Sequence, residues 1–193
     1  MANSAELLGG QLVDAWAVER HGEKERYEAF TAGMGNRKLL WHGSQVENWV
    51  EILKEGLRVD KCRSFMFGKA VYFSDCLERS ATYSSTKNGL SLFALCEVAL
   101  GKHVLRQRFD GSPKELPEGH HSVYCKGERR PDPAGTVILT NDVAVPTGTL
   151  VGGSRWRSIY SNKYSEYAVH RDEQILIRYF VTVRGRPENS DGA

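Results

Sequence analysis

No stretch of the 193-residue sequence approaches the roughly 18–20 uncharged apolar residues that a membrane-spanning helix needs, so no span is expected. The opening MANSAELLGG lacks a basic region followed by an apolar core. It is not a secretory signal, and an intracellular protein is the expectation. Cysteine is sparse: Cys62, Cys76, Cys96 and Cys125 form no C-x-x-C pair, and His120 with His121 has no partner at zinc-finger spacing. Free thiols are expected. An excess of charge of one sign is also missing, since a net charge of +2 is too mild to point to nucleic acid. The brief basic cluster KGERRP (126–131) reads as a solvated loop. Repeats and low-complexity tracts are absent, and the tail-like GRPENSDGA (185–193) reads as disordered.

What is there is the composition of an ordinary globular chain, long enough for one domain with one sizeable core. Stretches rich in β-branched and aromatic residues predict strands at LVDAWAVE (12–19), RKLLW (37–41), KAVYF (69–73), SLFALCEVAL (91–100), SEYAVH (165–170) and QILIRYFVTV (174–183). Helices are fewer, the best two following RKLLW and KAVYF. Late strands without alternating helices favour an α+β fold over a doubly wound sheet.

Chemistry concentrates at the two strand-to-helix junctions. In RKLLWHGSQVEN (37–48), His42 and Gly43 lie in the turn after an apolar strand. Ser44 and Glu47 are spaced as a capping box, and Val46, Trp49, Val50 and Leu53 as one helical face. A glycine there lets a ligand approach the backbone, at a place where polar ligands often bind. A histidine that merely finishes a turn accounts for these residues equally well. In GKAVYFSDCLERSATYS (68–84), Tyr72 ends a strand, Asp75 and Glu78 are spaced to cap the next helix, and Ser80 and Tyr83 fall one turn apart. A hydroxyl and a ring facing one way suit a flat ligand bearing an amide, although a half-buried helix would use the same residues. Glu166, in KYSEYAVH, is out of keeping with its apolar neighbours: either it faces water, or it faces inward and meets a partner or ligand.

In combination these stretches resemble a known family. RKLLWHGS, MFGKAVYFSD with SATY, GHHSVYCKG with PDPAG, SEYAVH and the closing ILIRYFVTV follow the order found in the catalytic domain of the poly(ADP-ribose) polymerases, nearest to the DNA-damage-responsive nuclear members. The resemblance runs from about VDAWAVERHGEKERYEAF to about Val183, and His42, Tyr72 and Glu166 match the family's His-Tyr-Glu signature.

The resemblance implies an ADP-ribosyltransferase fold of two packed, mainly antiparallel sheets over residues 12–184, between an N-terminal extension (1–11) and the tail. It implies NAD as substrate rather than redox carrier, no metal, and catalytic roles for Glu166, His42 and Tyr72. Gly43 and Ser80 would hold the nicotinamide carboxamide, and Tyr83 and Tyr72 would sandwich the ring, with Phe73 alongside. His42 and Ser44 would hold the adenosine ribose, with Asn48 and Arg58 nearby, and Glu166 would bond the nicotinamide ribose. The implied partners are protein acceptors, the chain itself among them. No direct nucleic-acid or membrane binding, a monomer and a nuclear location complete the expectation. A dinucleotide fingerprint G-x-G-x-x-G after a strand is missing, which argues against hydride transfer.

Departures from the family are visible as well. The segment LRVDKCRSF (57–65) is several residues shorter than the relatives' donor-site loop, and Phe65 stands where tyrosine is frequent. Ala70 replaces a usual glycine, and Arg79 stands where lysine is frequent. No counterpart of the helical regulatory subdomain or of DNA-binding modules is present in the sequence. The expected reaction is transfer of ADP-ribose to protein side chains, extended to a polymer. Single transfer, NAD hydrolysis, and NAD or ADP-ribose binding without turnover are the alternatives.

Overall fold

A computed structural model describes residues 11–106, 115–152 and 162–185. In chain order its elements are β1 (Gln11–Ala17), α1 (Glu23–Phe30), β2 (Arg37–Gly43), α2 (Trp49–Glu55), β3 (Ser64–Phe65), β4 (Gly68–Lys69), β5 (Val71–Phe73) and α3 (Leu77–Ala81). There follow β6 (Leu90–Ala99), β7 (His103–Arg106), β8 (Ser122–Cys125), β9 (Arg130–Pro131), β10 (Thr136–Ile138), β11 (Val143–Pro146), β12 (Leu150–Val151), β13 (Glu166–Val169) and β14 (Ile175–Arg184). The expected N-terminal extension, but for Gln11, and the tail beyond Gly185 lie outside the described residues.

The expected α+β architecture is present. A six-stranded sheet runs in the order β1-β14-β6-β2-β11-β10, antiparallel except for β2 with β11. A four-stranded sheet runs β5-β13-β8-β7, antiparallel except for β7 with β8. The two near-continuous apolar runs, β6 and β14, pair along their length from Ile175 opposite Val98 to Arg184 opposite Leu90. Runs of this kind, without alternation, suit strands covered on both faces. Leu40, Val71, Phe73, Ala94, Cys96, Val98, Tyr167, Val169 and Ile177 form one buried cluster drawn from both sheets, which holds them together. Burying a side chain of this size contributes about 1.5–3 kcal/mol.

The strand that positions the site is β2, which changes neighbours along its length. One edge stays on β6 from Arg37 to Gly43. The other meets β11 only at Arg37 and Lys38. At Trp41 it exchanges backbone bonds with Ser74, just past β5 (Trp41 N–H to Ser74 C=O 2.8 Å, Ser74 N–H to Trp41 C=O 3.0 Å). The two sheets therefore diverge at the His42–Gly43 end of β2, which leaves a cleft.

Three expectations about local structure are corrected. Ser44 and Glu47 do not form a capping box: Ser44 Oγ accepts from Asn48 Nδ2 (2.9 Å), while the Val46 N–H is satisfied by Ser85 Oγ (2.7 Å). A 3-10 turn at Val46–Asn48 precedes α2 and shifts its phase, because it advances three residues per turn instead of 3.6. The buried face of α2 is consequently Trp49 and Ile52, and Val46, Val50 and Leu53 are exposed. Asp75 does not cap α3 either. It is buried and accepts from Tyr167 Oη (3.1 Å) and Cys76 Sγ (3.3 Å). The segment EKERYEAF, polar on nearly every side, forms α1, anchored by buried Tyr27 donating to Glu97 (3.2 Å). All four cysteines are free thiols.

Candidate active site

A cleft of about 830 Å³ opens between the end of β2, α2, β5, α3 and the start of β13. Its lining includes each residue expected at a site: His42, Gly43, Ser44, Asn48, Arg58, Tyr72, Phe73, Ser80, Tyr83 and Glu166. Such a volume is ordinary for a site that takes a small molecule or nucleotide.

The backbone of Gly43 points into this cleft. Residues two apart on a strand direct their N–H and C=O the same way, and those of Trp41 leave β6 for Ser74. Two residues on, where that neighbour has turned away, the Gly43 donor and acceptor face open space between the sheets. Glycine is required here because an added Cβ would overlap the Ser80 carbonyl oxygen. Ser80 is itself buried on α3 and lines the same corner of the cleft. A backbone N–H, a C=O and a hydroxyl-bearing residue thus lie together there, the groups a primary amide needs.

His42 sits on the opposite wall. Its Nδ1 lies 2.9 Å from the Tyr72 carbonyl oxygen, which can only accept, so Nδ1 carries the proton and Nε2 is left as an acceptor in the neutral ring. Burial pulls the imidazole below its ordinary range, against the opposing effect of that hydrogen bond, which keeps the ring neutral at neutral pH. Phe73 (5.6 Å, tilted) and Trp49 (6.4 Å, edge-on) hold it from the apolar side. Phe73 lines the cleft but is packed in the core, so it supports His42 and offers a ligand no polar group.

At the closed end, Glu166 is 1% exposed and the first residue of β13, where Cys125 of β8 is its cross-strand partner. It faces inward with partners, the second of the two alternatives read from the sequence. Arg79 Nη2 (2.9 Å) and Tyr83 Oη (3.0 Å) both reach Oε1, and Asn162 Nδ2 donates to Oε2 (3.0 Å). The Arg79 guanidinium also stacks 4.9 Å over the Tyr83 ring. Tyr72 is tied through its hydroxyl to the loop before it, accepting from the Phe67 N–H (2.8 Å) and donating to the Gly68 carbonyl (3.0 Å). Burial, with the Glu166 charge adding to it, pushes the Tyr72 phenol up to about 12 and the Tyr83 phenol higher still, so both remain neutral donors. Arg79 and Asn162 are the residues that sequence reasoning did not place at the site. For Arg79 the available signal was its difference from the relatives' lysine; nothing local marked Asn162.

The outer end differs. Asn48 bonds Ser44, and Arg58, though lining the cleft, is engaged by Asp60 in a two-pronged pair (both 2.9 Å) and by Asp172 (3.7 Å). Lys61 pairs with Glu51 (2.8 Å), both half-exposed. Among the described residues no group of three or more His, Cys, Asp or Glu is arranged to hold a metal, and no helix is long and apolar enough to cross a membrane.

The catalytic domain of the poly(ADP-ribose) polymerases matches residues 2–185 of the chain. A poly [ADP-ribose] polymerase 2-A from Oryza sativa subsp. japonica is 38% identical over 180 residues, covering 89% of this chain and 26% of its own. Poly [ADP-ribose] polymerase 1 from Danio rerio is 38% identical over 178 residues (89% and 17%), and poly [ADP-ribose] polymerase from Drosophila melanogaster 36% over 175 (88% and 17%). The chain spans about a quarter or less of the length of these relatives. It belongs to the poly(ADP-ribose) polymerase catalytic-domain family.

Proposed function

We propose, from that membership and from the cleft, that this chain transfers ADP-ribose from NAD to protein side chains and extends it to a polymer. The observation that carries the reading is Glu166, a buried carboxylate at the closed end of a cleft whose other corner holds a backbone N–H, a C=O and a hydroxyl-bearing residue. Nicotinamide fits that corner: Gly43 and Ser80 take its carboxamide, and the rings of Tyr83 and Tyr72 take its faces. The adenosine ribose falls to Nε2 of His42 and to Ser44. We place the catalytic domain at residues 12–184, and by family resemblance a monomer in the nucleus.

The chemistry follows from charge. When the bond between the ribose C1′ and the nicotinamide nitrogen breaks, its electron pair neutralises the pyridinium, and nicotinamide leaves as a neutral molecule. Positive charge develops on the sugar, as in glycoside hydrolysis. Glu166, fixed before the substrate arrives, bonds the ribose 2′-hydroxyl and stabilises that cation at no cost in reorganisation. The acceptor then forms the new bond at C1′, and its proton passes to Glu166 or to water.

The test is incubation of the chain with NAD labelled in the adenylate phosphate, followed by a denaturing gel. A smear of labelled protein is the expected result. One sharp band would restrict the reaction to single transfer, free ADP-ribose without labelled protein would make it hydrolysis, and intact NAD would overturn the reading.

A further inference from the structure

Asn162 stands four residues before Glu166, and its side chain closes a triangle with Glu166 and Cys125. Its Nδ2 donates to Glu166 Oε2 (3.0 Å) and to Cys125 Sγ (3.3 Å). A carboxylate only accepts, so the amide group must present nitrogen and not oxygen to Glu166, and its two N–H bonds serve one acceptor each. The two acceptors are themselves cross-strand neighbours on β13 and β8. The amide therefore locks across an existing strand pair.

The backbone around Asn162 is held as firmly. The Glu128 N–H donates to the Asn162 carbonyl (3.0 Å), the Arg129 N–H to the Lys163 carbonyl (2.7 Å), and the Gly127 N–H to Ser165 Oγ (3.1 Å). Gly127 allows this contact, since a Cβ there would overlap the backbone at Tyr164 and Ser165. Residues 162–165 are thereby stapled to the turn that follows β8, and Asn162 is held in place by three backbone N–H groups of that turn.

We infer that Asn162 is a positioning residue for Glu166, fixing which carboxylate oxygen is presented to the substrate. Oε1 already receives two donors, from Arg79 and Tyr83, and its two lone pairs are used. Among the described residues Oε2 receives only Asn162, which leaves one lone pair there for the nicotinamide-ribose 2′-hydroxyl. Rotation about the terminal bond of a glutamate is soft. Asn162 is the contact that resists that rotation from the Oε2 side. The inference rests on the reading of Glu166 given under the proposed function.

Three variants and one spectrum test it. In Asn162→Leu, kcat should fall about tenfold, a low value for loss of an orienting partner. The KM for NAD and the affinity for benzamide should stay as in the wild type. Asn162→Gln should recover part of kcat, and Asn162→Asp should lose more than Asn162→Leu by adding a second negative charge. A merely structural role would lower the melting temperature without separating kcat from KM and without partial rescue by Asn162→Gln. Independently of turnover, the side-chain amide signals of Asn162 in a ¹⁵N–¹H spectrum should move in Glu166→Gln. Wild-type kcat in Asn162→Leu would overturn the inference, as would amide signals indifferent to Glu166→Gln. If the wild type consumes no NAD while those signals still respond, the proposed reaction fails and only the contact stands.

Discussion

The two ends of the cleft are built on different principles. At the inner end the carboxylate is buried and held from several elements: Glu166 on β13 meets half-buried Arg79 and Tyr83 from the α3 region and Asn162 from the preceding turn. At the outer end Arg58, Asp60, Lys61 and Glu51 form short-range pairs at the surface, on two neighbouring elements of the chain. Buried charges with fixed donors act in a low dielectric and do not reorganise, whereas exposed pairs are screened and contribute little. On the proposed reading, bond breaking belongs to the inner end and capture of the substrate's far half to the outer end.

The largest expected break in that contrast is Glu166→Gln. It keeps size and hydrogen bonding but removes the charge, and kcat should fall on the order of 100- to 1,000-fold. Benzamide should still bind by calorimetry, because the partners proposed for it are Gly43 and Ser80. Near wild-type polymer extension would move the chemistry elsewhere.

Next in size is Asp75, which supports the inner end through Tyr167, the neighbour of Glu166 in β13. Burial raises its carboxyl from 3.8 to about 6. Because the folded-state value is raised, the associated stability is fully present below the ordinary value and is lost as pH rises from about 4 to about 6. The loss above that window is roughly 3 kcal/mol. Asp75→Asn should flatten the pH 4–6 portion of the melting-temperature profile, and an unchanged slope there would assign the titration to another group.

Gly43→Ala should cost about 1–3 kcal/mol by overpacking against the Ser80 carbonyl and weaken benzamide about tenfold or more. Calorimetry and a thermal melt read both effects. At the outer end Lys61→Ala should leave stability nearly unchanged, with any rise in the KM for NAD fading in high salt. A salt-insensitive loss there as large as that of Gly43→Ala would erase the distinction between the two ends.

The sequence was legible where periodicity and local chemistry coincide. β6 and β14 are long apolar runs, and Gly43, expected to let a ligand near the backbone, also makes a close approach to Ser80. Its limits are equally physical. In α1 the buried face is one tyrosine and one glutamate among polar residues, so no apolar stripe exists to be read. The phase of α2 was misread because a 3-10 turn precedes it, and Asp75 was taken for a cap because spacing alone does not reveal that Tyr167 and Cys76 claim it first. The short strands β7, β8, β10 and β11, three or four residues each, carry too few alternations to be distinguished from loops. Asn162 became visible only when β8 was brought beside β13.

The pairing of β1 with β14 sets Gln11 opposite Arg184, so the first and last strands lie flank to flank, with Cα atoms of such partners about 5 Å apart. Connectivity and architecture are therefore separable in this domain. A short linker joining those two strands, with new ends opened at the exposed tip Asn141–Asp142 where both residues have positive φ, would cut no strand and keep every pairing. Such a circularly permuted chain relocates one loop-closure entropy from the tip of the β10–β11 hairpin to the β1–β14 edge, while the cleft at the far end of β2 is left as it was.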